Sequence, residues 1–164
     1  MNNFLRFLQV FALGAWVGSI LYFSAVVTQG AFRVLPTIDD AGRLVGFTLN
    51  GLHWMGVVAA VIYLLAAVAL ERSAKALARP AAIGVILMLI CTLISQQIVI
   101  PRMDVLRLQM GSVAATAAAN PLRAEFDKLH NYSVYLESAV LLVGIASLFL
   151  TVRQQAAAIL ARSH

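Results

Sequence analysis

The chain has 164 residues, of which 62% are hydrophobic and 12% charged, and its mean hydropathy is +0.89. Soluble domains contain roughly 45–50% apolar and about 25% charged residues, so this composition excludes an ordinary soluble domain and indicates an integral membrane protein. The formal net charge is +5, but the basic residues flank apolar segments instead of forming one stripe. We therefore expect a lipid bilayer, and no nucleic acid, as the partner. Cys91 is the single cysteine, which excludes an intrachain disulfide.

The apolar residues fall into four segments of the length that crosses a bilayer, about 20 residues each. The sequence predicts one all-α transmembrane domain over residues 1–164, an antiparallel four-helix bundle. The predicted spans are about 8–27, 51–70, 81–100 and 133–152. The first segment has no small-residue cleavage site before Val27, so we interpret it as a retained span and not as a signal peptide. Gly14 and Gly18 form a GxxxG pair, which is typical of close helix packing in lipid.

Capping signals predict that two helices are longer than their spans. Asp39 or Asp40 is a candidate N-cap for the second helix. A helix from residue 40 to residue 70 would be about 46 Å long, compared with roughly 30 Å of hydrocarbon core. Asn120 and Pro121 are typical of an N-cap and a first helical position, well before the fourth span. We therefore predict that helices 2 and 4 extend beyond the bilayer on one side.

Prolines mark both ends of the third span. Pro80 is placed to begin the third helix, whereas Pro101 predicts a kink or a stop. In the segment after Pro101, "RMDVLRLQM", we expect Val105, Leu108 and Met110 to cover a surface just outside the membrane. Three apolar residues share one face at the start of the fourth helix: Leu122, Phe126 and Leu129.

The distribution of basic residues does not decide the orientation. With four spans both termini share a side, which would contain Arg6, Arg72, Lys75, Arg79, Arg153 and Arg162. The opposite side would contain Arg33, Arg43, Arg102, Arg107, Arg123 and Lys128. The positive-inside rule therefore gives a tie. We favour cytoplasmic termini because the connector "ERSAKALARP" concentrates three basic residues, and we favour a bacterial inner membrane because the chain is rich in alanine and arginine.

Glu137 is an ionisable residue inside the fourth span. It would lie roughly 6–8 Å within the hydrocarbon edge, where side chains of this kind usually point inward and find a partner. Its spacings of four and seven residues from Ser133 and His130 place all three on one face of the helix. The other polar residues at a similar depth are Gln29, His53, Gln96 and Gln97.

These residues predict a polar pocket in one leaflet. In this interpretation Glu137 carries the charge, His130 is its proton or ligand partner, and the glutamines orient both. The alternative is that the polar residues only bond headgroups, water or neighbouring helices.

A metal or haem site is a further alternative. His53 and His130 come from different helices at one end, and bundles build such sites from inward side chains. No HxxxH, CxxC or ExxH spacing occurs, so we predict no cofactor, and keep haem b or a divalent metal on His53, His130 and Glu137 as the alternative. The sequence also has no GxSxG motif and no glycine-rich phosphate loop, which favours a non-enzymatic protein.

Three stretches carry a family resemblance: "LGAWVGSILYFSAVVTQGAFRVLP", the Pro-Arg-Met after the third span, and "FDKLHNYSVYLES". Together they resemble the four-helix membrane family named for transmembrane protein 205. That resemblance implies a compact four-span bundle without a settled activity, associated in its best-known member with tolerance of platinum drugs. The chain is distantly similar to the copper-resistance protein D group and the small membrane protoporphyrinogen oxidases, which implies metal or haem chemistry. Unlike them, it has no histidine in span one and no lysine in span four.

From these patterns we expect a non-enzymatic membrane protein whose pocket binds or passes a small cation, a proton or an amphiphile. One alternative is a haem-dependent or metal-dependent membrane oxidoreductase with His53 and His130 as axial ligands. The other is a structural or partner-binding subunit whose polar residues only join helices. Homo-oligomer formation stays open.

Overall fold

The structure is a computed structural model that describes residues 2–160, apart from the side chain of residue 159. Within this range the secondary structure is entirely helical. The four long helices are α1 (Asn2–Val34), α2 (Ile38–Glu71), α3 (Pro80–Met110) and α4 (Pro121–Leu160). A short 3-10 helix, Ala74–Ala78, lies between α2 and α3. All four long helices are long and apolar enough to cross a membrane, as predicted from the composition.

All four helices are longer than the predicted spans. The helices α2 and α4 contain 34 and 40 residues, which corresponds to about 51 and 60 Å of rise. The helices α1 and α3 contain 33 and 31 residues, so they too exceed the roughly 30 Å of a hydrocarbon core. Excess length is therefore a property of every helix, and not only of the second and fourth. Arg162, which contributed to the tie in basic residues, lies outside the described residues.

Thr37 is the N-cap of α2. Its backbone is extended, its Oγ1 accepts a hydrogen bond from the Asp40 amide at 3.0 Å, and it donates to the Asp40 carboxylate at 2.7 Å. Thr37 is therefore a side-chain N-cap, and the expectation that Asp39 or Asp40 is the cap was wrong. Both acids instead lie in the first turn, where the helix dipole favours negative charge.

The predicted starts of the other two helices are confirmed. Pro80 lies in the first turn of α3. The Asn120 side chain accepts a hydrogen bond from the Leu122 amide at 2.9 Å, immediately before α4 begins at Pro121. The first amide N–H groups of a helix have no partner within it. The Asn120 side chain accepts a hydrogen bond from one of them, and a proline at the first position has no N–H that needs a partner.

Two helices contain π-helical turns, which the sequence reasoning missed. They are Phe23–Val27 in α1 and Ser95–Val99 in α3. In α3 the Ile100 amide donates to the Ser95 carbonyl, five residues back. Pro101 follows directly after this turn. Proline has no N–H to donate, and its ring clashes with the carbonyl four residues earlier in a regular α-helix. A wider π turn avoids this clash and leaves room for the missing hydrogen bond. The helix consequently continues through Pro101 to Met110, so of the two expected outcomes, a kink or a stop, the stop is wrong.

The core between the helices is apolar and closely packed. Contacts join α1 to α2, α3 to α4, α1 to α4 and α2 to α3. Its largest fully buried apolar side chains are Trp16, Leu13, Ile20, Met88, Val85 and Val140. A Cβ added at Gly144 would lie 2.7 Å from Val17 and 2.9 Å from Met88, so this position requires glycine.

The GxxxG pair does not form a close contact within the chain. A Cβ at Gly14 or Gly18 would meet no atom within 4 Å. The reason is the rotation of α1, which turns Leu13, Trp16 and Ile20 inward and leaves Gly18 exposed.

A second apolar cluster joins the end of α3 to the start of α4. Its buried members are Val99, Leu106, Val113, Phe126 and Leu129, with Leu122 packed against them. This confirms the apolar face predicted for the start of the fourth helix. Met110 packs against the cluster, but Val105 and Leu108 are 53% and 82% exposed, so the covering role expected for these two was wrong. Leu106 is buried in their place, because the π turn before it changes which residues of α3 face α4.

Candidate functional site

His53 lies at the centre of a polar cluster built by three helices. It belongs to α2 and is only 1% exposed. Its Nδ1 lies 2.8 Å from Oε1 of Gln96 on α3, and its Nε2 lies 3.2 Å from Oε2 of Glu137 on α4. Both ring nitrogens are therefore engaged by side chains of other helices.

The amide groups on one side of the ring fix its tautomer. Gln96 donates from its Nε2 to Oδ1 of Asn50 at 3.2 Å, so its amide oxygen is the atom that faces His53. An amide oxygen only accepts hydrogen bonds, so Nδ1 of His53 must carry a hydrogen. The chain from Asn50 through Gln96 thus fixes the ring with its Nε2 towards Glu137.

A hydrogen bond between Nε2 of His53 and Oε2 of Glu137, which lie 3.2 Å apart, requires one proton between the two groups. With Nδ1 protonated, Nε2 is either a bare acceptor facing a neutral carboxyl group, or the donor of an imidazolium facing a carboxylate. Both forms have a net charge of zero, which a hydrocarbon environment tolerates far better than an isolated charge. Removing the proton would place a carboxylate against the lone pair of Nε2, without a hydrogen bond between them.

The two partners differ in their access to the surface. The side chain of Glu137 is 14% exposed and that of His53 is 2% exposed. Glu137 is therefore the group of the pair through which a proton would enter or leave.

Buried hydroxyl groups lie on the same helices as the cluster. Ser133 is buried one turn before Glu137. The hydroxyls of Thr92 and Ser95 on α3 are buried and have no hydrogen-bond partner within residues 2–160. Sequence reasoning missed Asn50, Thr92 and Ser95, although Thr92 precedes Gln96 by four residues, which is a helical spacing.

Three predicted pocket residues lie outside the cluster. His130, Gln97 and Gln29 are exposed. Gln97 follows Gln96 by one position, which turns its side chain about 100° around the helix. His130 lies two turns before Glu137 beside the buried Leu129, on the exposed side of α4. The structure therefore pairs Glu137 with His53 and not with His130.

A metal ion or a haem iron at His53 would have to displace one of the side chains that contact its ring. An iron or a divalent cation would need a free ring nitrogen, whereas those of His53 are occupied by Gln96 and Glu137. Within residues 2–160 no group of three or more His, Cys, Asp or Glu side chains is arranged to hold a metal ion.

A groove between α1 and α2 reaches the cluster from outside the bundle. It has a volume of about 580 Å³ and is lined by residues that include Ser19, Tyr22, Phe47 and Asn50. Asn50 lines the groove and accepts the hydrogen bond from Gln96. The groove is thus separated from the His53 ring by two amide side chains.

Comparison with protein families matches residues 11–112 to DUF4149, a domain of unknown function. The match includes His53 and Gln96 and ends before Glu137. No curated protein and no solved structure matches the chain. Because the family match covers more than half of its residues, the chain belongs to the DUF4149 family.

Proposed function

We propose that this chain is a non-enzymatic multi-pass membrane protein that binds and passes protons at the cluster of His53, Gln96 and Glu137. One observation carries the proposal: a buried histidine ring is held at both nitrogens, with a carboxyl group at Nε2. Histidine exchanges protons readily near neutral pH, and carboxyl–histidine chains within membranes are typical of proton relays.

Geometry favours a proton over the other two predicted ligands. A cation such as Ca²⁺ takes six to eight oxygen ligands, whereas Oε2 of Glu137 already faces His53. An amphiphile would occupy the groove between α1 and α2 and would meet Asn50, not the ring. A small cation or an amphiphile is therefore the second choice within this proposal.

The proposed mechanism assigns one role to each side chain. Glu137 exchanges the proton with the outside, because it is the more exposed partner. Nε2 of His53 shares that proton, and Gln96 keeps the ring in the orientation that makes sharing possible. Gln96 lies in the π turn Ser95–Val99, and a rearrangement of that turn would release the ring.

The proposal includes an antiparallel bundle in a bacterial inner membrane, with both termini cytoplasmic. Support for this orientation comes from Arg72, Lys75 and Arg79 in one short connector. The lengths of α2 and α4 support helices that extend beyond the bilayer. The more specific resemblance to the transmembrane protein 205 family or to copper-resistance protein D stays a prediction.

Proton flux into vesicles tests the proposal. The purified protein is reconstituted into liposomes that contain a pH-sensitive dye, and internal acidification is followed after a pH step. We expect the wild type to acidify faster than empty liposomes, and Glu137→Gln to remove the difference. Glu125→Gln is the matched control, since Glu125 is an exposed carboxylate on the same helix.

The same samples distinguish the alternatives. If the wild type were no faster than empty liposomes, or if Glu137→Gln equalled the wild type, the structural-subunit alternative would replace proton transfer. A Soret band that His53→Ala abolishes would favour the haem-dependent alternative.

A further inference from the structure

A second polar cavity lies at the end of the bundle where α2 ends. On α2 it begins ten residues beyond His53, at Tyr63, and it continues to Glu71. Its volume is about 180 Å³. The polar residues that matter for its chemistry are Arg6, Gln9, Tyr63, Glu71, Arg79 and Gln155.

The charged groups of the cavity do not balance. The Nε of Arg79 forms an ion pair with the Glu71 carboxylate. Arg6 also lines the cavity, and its guanidinium has no ion-pair partner within residues 2–160. Two cations and one carboxylate leave the wall with one excess positive charge. The cavity is therefore electrostatically suited to a ligand with a negative charge.

A buried amide adds a neutral donor beside Arg6. Gln9 is 7% exposed, and its Oε1 accepts a hydrogen bond from Gln155 at 3.2 Å. The same Gln155 amide donates to the backbone carbonyl of Arg6, which ties α4 to the start of α1. The amide nitrogen of Gln9 has no partner among the described side chains, so its hydrogens are available to a ligand.

On the opposite wall of the cavity, the hydroxyl hydrogens already form hydrogen bonds within the protein. Thr151 donates to the Ser147 carbonyl at 2.8 Å, so its single hydrogen is used. Tyr63, 2.7 Å away, must then be the donor to Thr151. The free donors of the cavity are consequently those of Arg6, Gln9, Gln154 and the unused nitrogens of Arg79.

From this arrangement we propose that the cavity binds a phosphate group, with Arg6 as its charge partner and Gln9 as a neutral donor. Guanidinium groups match the oxygen geometry of phosphate and bind it through paired hydrogen bonds. A phospholipid headgroup and free inorganic phosphate share this chemistry. A cavity at the end of membrane-spanning helices, with basic residues in its wall, is a place where anionic headgroups gather.

Thermal unfolding of the purified full-length protein tests the proposal. The protein is held in a phosphate-free, non-ionic detergent, and inorganic phosphate or phosphatidylglycerol is added in separate titrations. A ligand that binds the folded state raises the unfolding temperature. We expect such a rise, and expect Arg6→Gln to increase the half-saturating concentration about tenfold or more, since a charge-assisted hydrogen bond is lost.

Two further variants make the outcome decisive. Ala158→Leu fills the cavity from α4 without changing a charge, and should weaken the same response even if Arg6→Gln does not fold. Arg153→Gln removes an exposed arginine outside the cavity and should leave the response unchanged.

A rise with phosphatidylglycerol alone identifies a lipid headgroup, and a rise with inorganic phosphate identifies a free anion; either supports the site. The proposal is overturned if neither ligand shifts the wild type, or if Arg153→Gln weakens the response as much as Arg6→Gln.

Discussion

His53 brings three helices together through two hydrogen bonds at opposite edges of one ring. A carboxylate at the depth of Glu137 without a partner would cost a few kcal/mol. In the proposed function, one proton shared with His53 would keep the pair neutral, and the hydrogen bond to Gln96 holds the ring in place. At the scale of the residue, the site thus depends on the amide as much as on the two ionisable groups.

Replacing Gln96 tests this dependence. Gln96→Leu would leave the Nδ1 hydrogen of His53 and the oxygen of Asn50 without their partner. We expect a loss of about 1–3 kcal/mol in unfolding free energy and slower proton flux, because the buried Nδ1 hydrogen of His53 would be unsatisfied. Gln97→Leu, at the exposed neighbour, should change the stability by less than about 0.5 kcal/mol. Equal effects of the two variants in reversible unfolding would contradict the assignment.

Glycines give a second test at this scale. A Cβ at Gly56 would overlap the indole of Trp16, which is itself 1% exposed and cannot move aside. Gly56→Ala should therefore destabilise the protein by about 1–3 kcal/mol. Gly18→Ala meets open space and should be neutral or stabilising by up to about 1 kcal/mol. Denaturant titration in detergent compares them, and a larger loss for Gly18→Ala would show that the GxxxG pair is a packing surface after all.

At the scale of the helix, the π turn of α3 positions the candidate site. It carries Gln96, and it lies just before Pro101, which removes one regular helical hydrogen bond. The proline was visible in the sequence, but its consequence was not, because a proline within a helical pattern is compatible with a stop, a kink or a widened turn.

Pro101→Ala should allow this turn to relax towards a regular α-helix and move Gln96 away from His53. We expect the ¹⁵N resonance of His53 Nδ1 to shift and proton flux to fall. Pro121→Ala is the control, since Pro121 occupies the first position of α4, where no intrahelical donor is needed. An unchanged Nδ1 resonance in Pro101→Ala would show that the π turn does not position Gln96 against His53.

The connector between α3 and α4 is held by the first turn of α2. The Asp39 carboxylate accepts from Ser112 Oγ at 2.5 Å, from the Val113 amide at 3.0 Å and from the Ala114 amide at 3.4 Å. Asp39→Ala should raise the rate of proteolytic cleavage in this connector about tenfold, which corresponds to the loss of roughly one charge-assisted hydrogen bond. Asp104→Ala is the control, as Asp104 is 59% exposed and its nearest contact to Arg107 is 3.7 Å. Similar cleavage of both variants would show that Asp39 does not hold the connector.

At the scale of the whole molecule, the apolar segments predicted the four long helices. The depth of the polar residues within their spans predicted that these residues lie at one end of the bundle. Glu137, His53, Gln96 and Ser133 were placed there from sequence because they lie at similar distances from the ends of their spans. This reasoning could not predict which of these side chains contact each other. Whether Glu137 meets His53 or His130 depends on how each helix is rotated about its axis, and neither π turn was foreseen.

An apolar layer separates the two polar ends. Between Glu137 and Thr151, α4 turns Val140 and Gly144 inward, and Gly144 meets Val17 and Met88. Such a layer excludes water at rest, so proton transfer across the whole bundle requires this layer to open. This layer therefore separates the proposed sites at Arg6 and at His53.

The ring nitrogens of His53 test the central claim most directly. Of the three histidines, His130 and His164 are removed by substitution with glutamine, which leaves His53 alone in the ¹⁵N spectrum. We expect a protonated Nδ1, and an Nε2 resonance that shifts in Glu137→Gln but not in Glu125→Gln. An unprotonated Nδ1, or an Nε2 resonance that does not respond to Glu137→Gln, would contradict the shared proton on which the proposed function depends.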